Sequence, residues 1–328
     1  MAAHETGSAL VGRALTAGQV PGGWRLAVAL VLAAILAVGP LFFSTYWIGL
    51  LTQMVILAIL AMSLDILLGY TGLPSLGHAA FFGVAAYAVA VLSTAYDAGF
   101  WTSVAGGLVI GTLLAAVFGL VVSHVRDVYF LMITLAFGMV LWGVSYRWIL
   151  VTGGDNGISG IPSLEAHAGL PFAGAVPFYY VTLLVFVACG GLMRLIVRSP
   201  FGLALRGIRE NESRMRSLGF NTWLHCYLSY VIAGAFASVS GVMWAYYNGF
   251  VSPTYLDLTA STELFLMVTL GGPATLVGPV LGAGAIVLLK NVMSAYTARW
   301  LLILGIVYIV TILAAPQGLW NLGKRTSG

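Results

Sequence analysis

Long apolar runs, each close to 20 residues, set the class of this protein. The run at 100–122 contains no charged side chain, and similar runs recur along the 328 residues. A helix needs about 20 apolar residues to cross the hydrocarbon core of a bilayer. The chain is 60% hydrophobic and only 7% charged, whereas a water-facing surface carries roughly a quarter charged residues. The sequence therefore predicts an all-α, polytopic membrane protein and excludes a soluble domain.

The apolar runs predict about ten transmembrane segments, some of them short or broken. Residues 24–320 form the predicted membrane domain, between an N-terminal tail, 1–23, and a C-terminal tail, 321–328. The segment 261–271 is too short to cross a bilayer alone. The ten predicted segments are 24–43, 46–68, 75–92, 100–122, 128–149, 177–197, 223–247, 261–271, 275–295 and 298–315.

Basic residues predict the orientation of these segments. With the N-terminus inside, most of the chain's 14 Lys and Arg residues lie in cytoplasmic loops, and only Arg147, Lys290 and Arg299 fall outside. Short loops rich in Lys and Arg stay on the cytoplasmic side. We therefore expect both termini in the cytoplasm, in a bacterial-type plasma (inner) membrane. The basic residues set topology and form no phosphate track, so nucleic acid is not an expected partner.

The stretch 198–220, RSPFGLALRGIRENESRMRSLGF, is the one substantial polar segment of the chain. Its apolar residues are interspersed with Arg and Glu, which predicts a short amphipathic helix along the membrane surface. Arg206 and Glu210 are four residues apart and should share one helix face. Two interpretations stay open: a docking site for another protein, and a solvated loop that only sets topology.

Glycine and proline interrupt two predicted spans in the same manner. Residues 69–87, GYTGLPSLGHAAFFGVAAY, and residues 271–287, GGPATLVGPVLGAGAIV, align as an internal repeat of two halves if one inserted residue is allowed. Such paired interruptions point to a translocation site, because broken backbone at membrane depth needs protein or a water-filled cavity around it. The alternative is that the glycines only allow close helix packing. Candidate pathway residues are Asp65, Gly72, Pro74, Ser75, His78, Gly272, Pro273 and Thr275.

Asp65 is the most unusual of these candidates. A carboxylate at the centre of a span costs about 2.5–3.5 kcal/mol to insert, so an intramembrane acid is by default a functional hypothesis. Asp65 also lies only four residues before Gly69, near the cytoplasmic end, where hydration alone would explain it. No His, Cys or carboxylate cluster has metal spacing, and we expect neither a metal nor a cofactor on this chain. The string GLWNLGKRT at 318–326 is not a phosphate-binding loop, because Arg325 stands where a hydroxyl must bind Mg²⁺.

Four long motifs in order resemble the membrane permease subunits of branched-chain amino-acid ABC importers, of the LivM-like type. They are the first broken segment, TGGDNGISGIP at 152–162, the polar stretch at 198–220, and GFVSPTYLDLTASTELFLMVTLGGPATLVGPVLGA at 249–283. The resemblance covers residues 45–320. This chain departs from the family at Asp65, where Asn is usual, and at Leu73 and Pro74, which replace a Gln-containing pair.

The resemblance implies an importer with two homologous permease subunits as a heterodimer, two cytoplasmic ATPases and an extracytoplasmic binding protein. ATP and Mg²⁺ would then bind the ATPases, and this chain would be a transport subunit and not an enzyme. The polar stretch becomes the ATPase-coupling element, with docking residues Arg206, Arg209, Glu210 and Glu212. The outer loop, 150–176, becomes a flexible contact for the binding protein, where a plain connector is the alternative, with contact residues Gly154, Asp155 and Asn156.

The resemblance also implies the substrate, a branched-chain or other hydrophobic amino acid. Urea, a short amide or a monosaccharide is the alternative cargo within the same importer architecture. An ATP-independent channel or ion-coupled carrier is a second class of alternative. The scarcity of charged residues within the predicted spans and the coupling-like polar stretch disfavour that class.

Overall fold

The computed structural model describes residues 43–163 and 174–296, with residue 40 and positions 302, 303, 305, 306, 309, 318 and 320. The predicted spans 24–43 and 298–315 and both tails lie outside the described residues, apart from those single positions. Part of the outer loop, 164–173, lies outside them as well. The chain divides after Trp47, and the site described below lies wholly in the part that follows.

The described chain is almost entirely helical, as the apolar runs predict. Short 3₁₀ turns at Gly154–Asn156 and Pro253–Leu256 and two strands, β1 (Ile158–Ser159) and β2 (Phe250–Val251), supplement the helices. In chain order the helices are α1 (Thr45–Asp65), continued by a π-helical turn (Ile66–Thr71), α2 (Ala79–Thr94), α3 (Phe100–Val122), α4 (Asp127–Arg147), α5 (Ile149–Thr152), α6 (Ala175–Arg198), α7 (Pro200–Glu210), α8 (Glu212–Ser217), α9 (Thr222–Asn248), α10 (Leu258–Gly271) and α11 (Val277–Tyr296).

Among the described residues, six helical segments are long and apolar enough to cross a membrane: α1 with its π-helical turn, α3, α4, α6, α9 and α11. They correspond to six of the predicted segments. The predicted segments 75–92 and 261–271 correspond to α2 and α10, which have 16 and 14 residues and are shorter than a full span. The protein is therefore a multi-pass membrane protein, but the count of ten segments is not confirmed, and the internal repeat stays a prediction.

Helix α2 lies at the centre of the bundle, packed against α3 and α9, while α10 packs along α11. Small residues bring these helices close together. A Cβ at Gly241 of α9 would collide with the Phe82 carbonyl oxygen of α2, and one at Gly234 would collide with Ala115 of α3. Such close backbone approach stabilises helix pairs in a bilayer, where burial of apolar surface gives little. Helices α3 and α6 expose large apolar side chains such as Leu113 and Leu184, as lipid-facing helices do.

The polar stretch 198–220 forms two short helices where one amphipathic helix was predicted. Ser199 caps α7 by accepting the Gly202 N–H at 3.4 Å, and Pro200 occupies the first helical turn. Asn211 then adopts extended backbone, ends α7, and caps α8 by accepting the Arg214 N–H at 2.9 Å. The buried side of α7 consists of Gly202, Ala204, Leu205 and Ile208. Asn211 therefore turns the chain and separates the two helices.

Candidate functional site

The first break begins where the π-helical turn ends, at Gly72. Its φ of +78° lies in the left-handed region, which costs a residue with a side chain about 1–2 kcal/mol. Residues 72–78 then run without regular structure to α2. The Leu76 N–H donates to Thr134 Oγ1 of α4 at 3.2 Å, and a Cβ at Gly77 would collide with the Thr134 carbonyl oxygen. Protein therefore surrounds this broken backbone, as membrane depth requires.

The second break, between α10 and α11, has left-handed backbone at three positions. Gly272 has φ of +108°, and the non-glycine residues Ala274 and Leu276 have φ of +63° and +55°. Thr275 supports this backbone, since its Oγ1 donates to the Gly272 carbonyl at 2.8 Å and accepts the Gly278 N–H at 2.9 Å. Left-handed residues in such a turn direct successive N–H groups to one side and form an anion-binding nest. The nest consists of the N–H groups of residues 274–276.

Asp65 joins the two breaks by placing its carboxylate in this nest. Its Oδ1 accepts the Ala274 N–H at 2.7 Å, and its Oδ2 accepts the N–H groups of Thr275 at 3.2 Å and Leu276 at 3.0 Å. The side chain is fully buried, so it needs these donors. A Cβ at Gly69 would collide with both the Asp65 carboxylate and Ala274, so a glycine is required there. The carboxylate predicted as a pathway candidate thus fastens the end of α1 to the second break.

Two arginines of the predicted docking set face this junction. Arg209 Nη1 donates a hydrogen bond to the Gly69 carbonyl oxygen, and the Arg209 side chain lies so close to Gly72 that a Cβ there would be 2.8 Å from Arg209 Cγ. The Arg206 guanidinium lies 5.2 Å from the centre of the Tyr70 ring, within cation–π range. Helix α7 is therefore attached directly to the first break.

Glu212, also in the predicted docking set, pairs within the chain. It accepts from Arg126 at 2.7 Å, from Arg216 at 2.8 Å and from Thr222 at 2.8 Å. The hydrogen bond from Arg126 is the main reason that the pKa of Glu212 falls from 4.5 to about 2. These bonds fix α8 to the ends of α4 and α9. Glu210, the fourth member of the predicted set, is exposed.

A cavity of about 440 Å³ lies between the helices that flank the two breaks. Its volume is within the range of small-molecule sites. The apolar residues that line it include Leu57, Phe82, Trp244, Met267 and Ile286. The polar groups that line it, among the described residues, belong to Gln53, Thr254, Tyr255, Asp257, Thr259, Glu263, Lys290, Asn291 and Ser294.

Glu263 of α10 and Lys290 of α11 form an ion pair in the cavity wall. Lys290 Nζ lies 3.1 and 3.0 Å from the two carboxylate oxygens of Glu263. The Glu263 side chain is only 14% exposed, whereas the Lys290 side chain is 42% exposed. Nearby, Asp257 caps α10 by accepting the Ala260 N–H at 2.8 Å. The cavity therefore combines apolar lining residues with one ion pair and a second carboxylate, that of Asp257.

The eight predicted pathway residues lie at the two breaks, and none of them is among the described residues that line the cavity. His78 is fully buried, with its Nε2 2.8 Å from Ser63 Oγ of α1. Ser75 is also fully buried, and Pro74 and Pro273 are half-buried within the breaks. Their role in transport stays a prediction.

The outer loop is ordered between residues 152 and 161 by hydrogen bonds, although its glycines predicted a flexible segment. Strand β1 pairs with β2 in antiparallel register, Ile158 opposite Val251. The Ile161 N–H donates to the Gly249 carbonyl at 3.3 Å, which ties the loop to the end of α9. Gly154 is buried, while Asp155 and Asn156 are exposed on a 3₁₀ turn. The two polar contact candidates thus stand on a rigid support.

Glu263 was not identified from the sequence, and Lys290 was named only as one of the few basic residues outside the cytoplasmic loops. The signal was present, because Glu263 is an acid inside the apolar run of α10 and an intramembrane acid indicates a functional site. The nest was not visible in the sequence, because Asp65 is 209 residues from Ala274 and nothing local links them.

Comparison with known proteins identifies the family. A family model described as "Branched-chain amino acid transport system / permease component" matches residues 46–315. The LivM permease protein of the high-affinity branched-chain amino acid transport system of Escherichia coli K12 is 30% identical over 317 residues, 88% of this chain and 74% of its own length. The LivM protein of Salmonella typhimurium LT2 is 28% identical over 313 residues, 88% of this chain and 73% of its own.

The LivH permease protein of the Escherichia coli K12 system is also similar, at 25% identity over 257 residues, 73% of this chain and 82% of its own length. No solved structure matches the chain. The resemblance predicted from the four motifs is confirmed by the family match. This chain belongs to the family of branched-chain amino acid transport system permease components.

Proposed function

We propose that this chain is one permease subunit of an ABC importer that carries branched-chain amino acids delivered by an extracytoplasmic binding protein. The observation that carries the proposal is the position of α7 between the first break and the surface. Its inner side reaches the first break through Arg209, and its outer side is exposed. A helix of this kind can transmit a displacement by a partner to the broken segments. The similarity to both LivM and LivH supports a homologous second permease subunit beside this one.

The exposed side of α7 is the proposed ATPase contact. Fewer residues then remain as docking candidates than in the predicted set. Leu203 and Glu210 lie seven residues apart on this exposed face, and Arg206 lies between them, exposed although its guanidinium also contacts the Tyr70 ring. The Leu203 side chain is 70% exposed, which is unusual for an apolar residue beside charges on a water-facing helix. The ATPases would bind ATP and Mg²⁺, and a contact with them requires α7 and α8 to lie in the cytoplasm. The distribution of basic residues predicts the same side for both termini.

The junction of the two breaks is the proposed inner gate. Asp65 follows Leu60, a cavity-lining residue of α1, by five residues, or roughly 7.5 Å along a helix. The Asp65–nest contact therefore lies between the cavity and α7. Alternating access would open this contact when the ATPases displace α7, and would release the substrate inward.

The outer loop is the proposed contact for the binding protein. Asp155 and Asn156 are exposed at its tip, and β1 joins it to β2, which leads directly into the Pro253–Leu256 turn. Thr254 and Tyr255 of that turn line the cavity. A binding protein on the loop would thus be continuous with the outer rim of the cavity.

The proposal is tested by the assembly of the complex. The double variant Leu203→Asp/Glu210→Arg removes the exposed apolar contact and reverses one charge, so co-purification of the cognate ATPases with tagged permease should fall about tenfold or more, equivalent to about 1.4 kcal/mol of binding. The matched control is Asp155→Arg, which changes charge at the other end of the bundle and should leave ATPase co-purification unchanged. Wild-type recovery of the ATPases with the double variant would contradict the proposed docking face.

A further inference from the structure

The Glu263–Lys290 pair stands out because charge is scarce in this chain and costly in a membrane. Opposite charges buried in low-dielectric surroundings lose more hydration than their attraction recovers, unless further polar groups satisfy them. The pair joins α10 to α11, yet those helices already meet through close glycine contacts, where a Cβ at Gly282 would collide with the Met267 carbonyl oxygen. Helix packing alone therefore gives no reason to keep both charges. Intramembrane ionisable residues that face a cavity mark substrate pathways.

The rest of the cavity shows which ligand these charges suit. The rest of the cavity wall includes aliphatic and aromatic side chains such as Leu57 and Phe82, and Val287 lies three residues before Lys290 on α11. We infer that the Glu263–Lys290 pair is the binding site for the charged groups of a zwitterionic amino acid, whose apolar side chain lies against this wall. The ammonium group of the ligand pairs with Glu263 and its carboxylate pairs with Lys290.

A zwitterion fits this pair better than an ion or a neutral solute does. Inserting an anion between the two side chains satisfies Lys290 but leaves the charge of Glu263, whose side chain is only 14% exposed, without a partner, and a cation leaves the charge of Lys290 without one. Neutral urea or a sugar offers neither charge, so the existing ion pair would have to stay closed. A zwitterion replaces one salt bridge by two and leaves no buried charge without a partner. The inference rests on the proposed function, because it names the groups of the transported substrate that the permease itself recognises.

Analogues of leucine test the inference directly. The assembled transporter, with its permease partner and ATPases but without the binding protein, is placed in nanodiscs and equilibrated with radiolabelled leucine. Unlabelled leucine should displace the label at a concentration at least about tenfold lower than leucinamide, which lacks the carboxylate, or 4-methylpentanoate, which lacks the ammonium group. No bound label, or equal displacement by the three compounds, would overturn the inference.

A paired substitution separates recognition from structure. Substituting Lys290 alone leaves the largely buried Glu263 carboxylate unpaired and can prevent folding. The informative variant is therefore Glu263→Gln/Lys290→Gln, in which the two amides can still hydrogen-bond. This variant should assemble normally, bind leucine at least about tenfold more weakly, and lose the preference for leucine over leucinamide. The matched control Thr262→Ala changes an exposed polar residue of α10 that does not line the cavity, and this variant should bind leucine within about twofold of the wild type. Wild-type leucine affinity in the double Gln variant shows that the pair is only structural and refutes the inference.

Import with the binding protein distinguishes this inference from the proposed function. If the wild-type complex imports leucine into proteoliposomes and the double Gln variant imports it equally fast, the proposed importer function stands and the inference about the Glu263–Lys290 site is refuted. If the wild-type complex imports no branched-chain amino acid in the presence of its cognate binding protein, the proposed function itself is refuted.

Discussion

Removing the Asp65 carboxylate should separate the two breaks, and the structure allows the cost to be worked out. Asp65→Ala deletes the acceptor of three backbone N–H groups, those of Ala274, Thr275 and Leu276. A buried donor without an acceptor costs about 1–3 kcal/mol, so three cost roughly 3–9 kcal/mol. Ala274 and Thr275 are half-buried and can recover some hydration, which narrows the expected loss to roughly 3–6 kcal/mol.

Unfolding of the permease in mixed micelles by titration with SDS measures this loss. The isosteric control is Asp65→Asn, which retains one acceptor oxygen and should lose only about 1–3 kcal/mol. Initial leucine uptake per assembled complex gives a second readout, because a loosened inner gate should slow transport. If Asp65→Ala and Asp65→Asn both unfold within about 1 kcal/mol of the wild type, the nest does not hold the breaks together and this reasoning is wrong.

Three further predictions concern the same network. Gly72→Ala should assemble but import slowly, because its φ of +78° and the nearby Arg209 side chain penalise a Cβ; wild-type uptake per assembled complex would return this region to packing alone. The folded-state pKa of Glu212 is depressed to about 2, so its stabilising contribution is complete above pH 4.5 and is lost as the pH falls from 4.5 to 2; thermal unfolding of Glu212→Gln should show a weaker acid dependence. Cysteine at Asp155 should react with an impermeant maleimide on intact cells and cysteine at Glu210 should not, and the reverse pattern would invert the topology.

The long helices were predictable because their signal is local. Helix α3 spans Phe100–Val122, the same bounds that its apolar run predicts, since Gly99 and Ser123 end the run on either side. The broken segments were also visible, because glycine and proline interrupt an apolar run in a way that few other patterns do. The boundaries of α2 and α10 differ from the prediction by a few residues, because hydropathy alone does not locate a helix end beside a break.

The contacts between segments were not predictable, because they depend on how distant elements pack. The family resemblance, together with the charge of the polar stretch, implied that Arg206, Arg209, Glu210 and Glu212 are docking residues. In the structure, Arg209 turns to Gly69 and Glu212 turns to Arg126, so their charges are used within the chain. A helix of 11 residues has an inner and an outer side, and composition alone does not say which groups its arginines contact.

The strength of these internal contacts decides how α7 can act on the cavity. A hydrogen bond with one charged partner contributes about 1.5–3 kcal/mol, so the Arg209–Gly69 bond and the Asp65 nest each exceed the thermal energy of about 0.6 kcal/mol several-fold. Helix α7, the π-helical turn and the second break should therefore stay together until the ATPases supply the work that opens the Asp65–nest contact. ATPases that displace α7 would then reach the floor of the cavity without any contact of their own to the breaks. Glu263 and Lys290 lie in the parts of α10 and α11 that are remote from the second break. Because coupling between two sites is reciprocal, substrate bound at this pair can also change the position of α7.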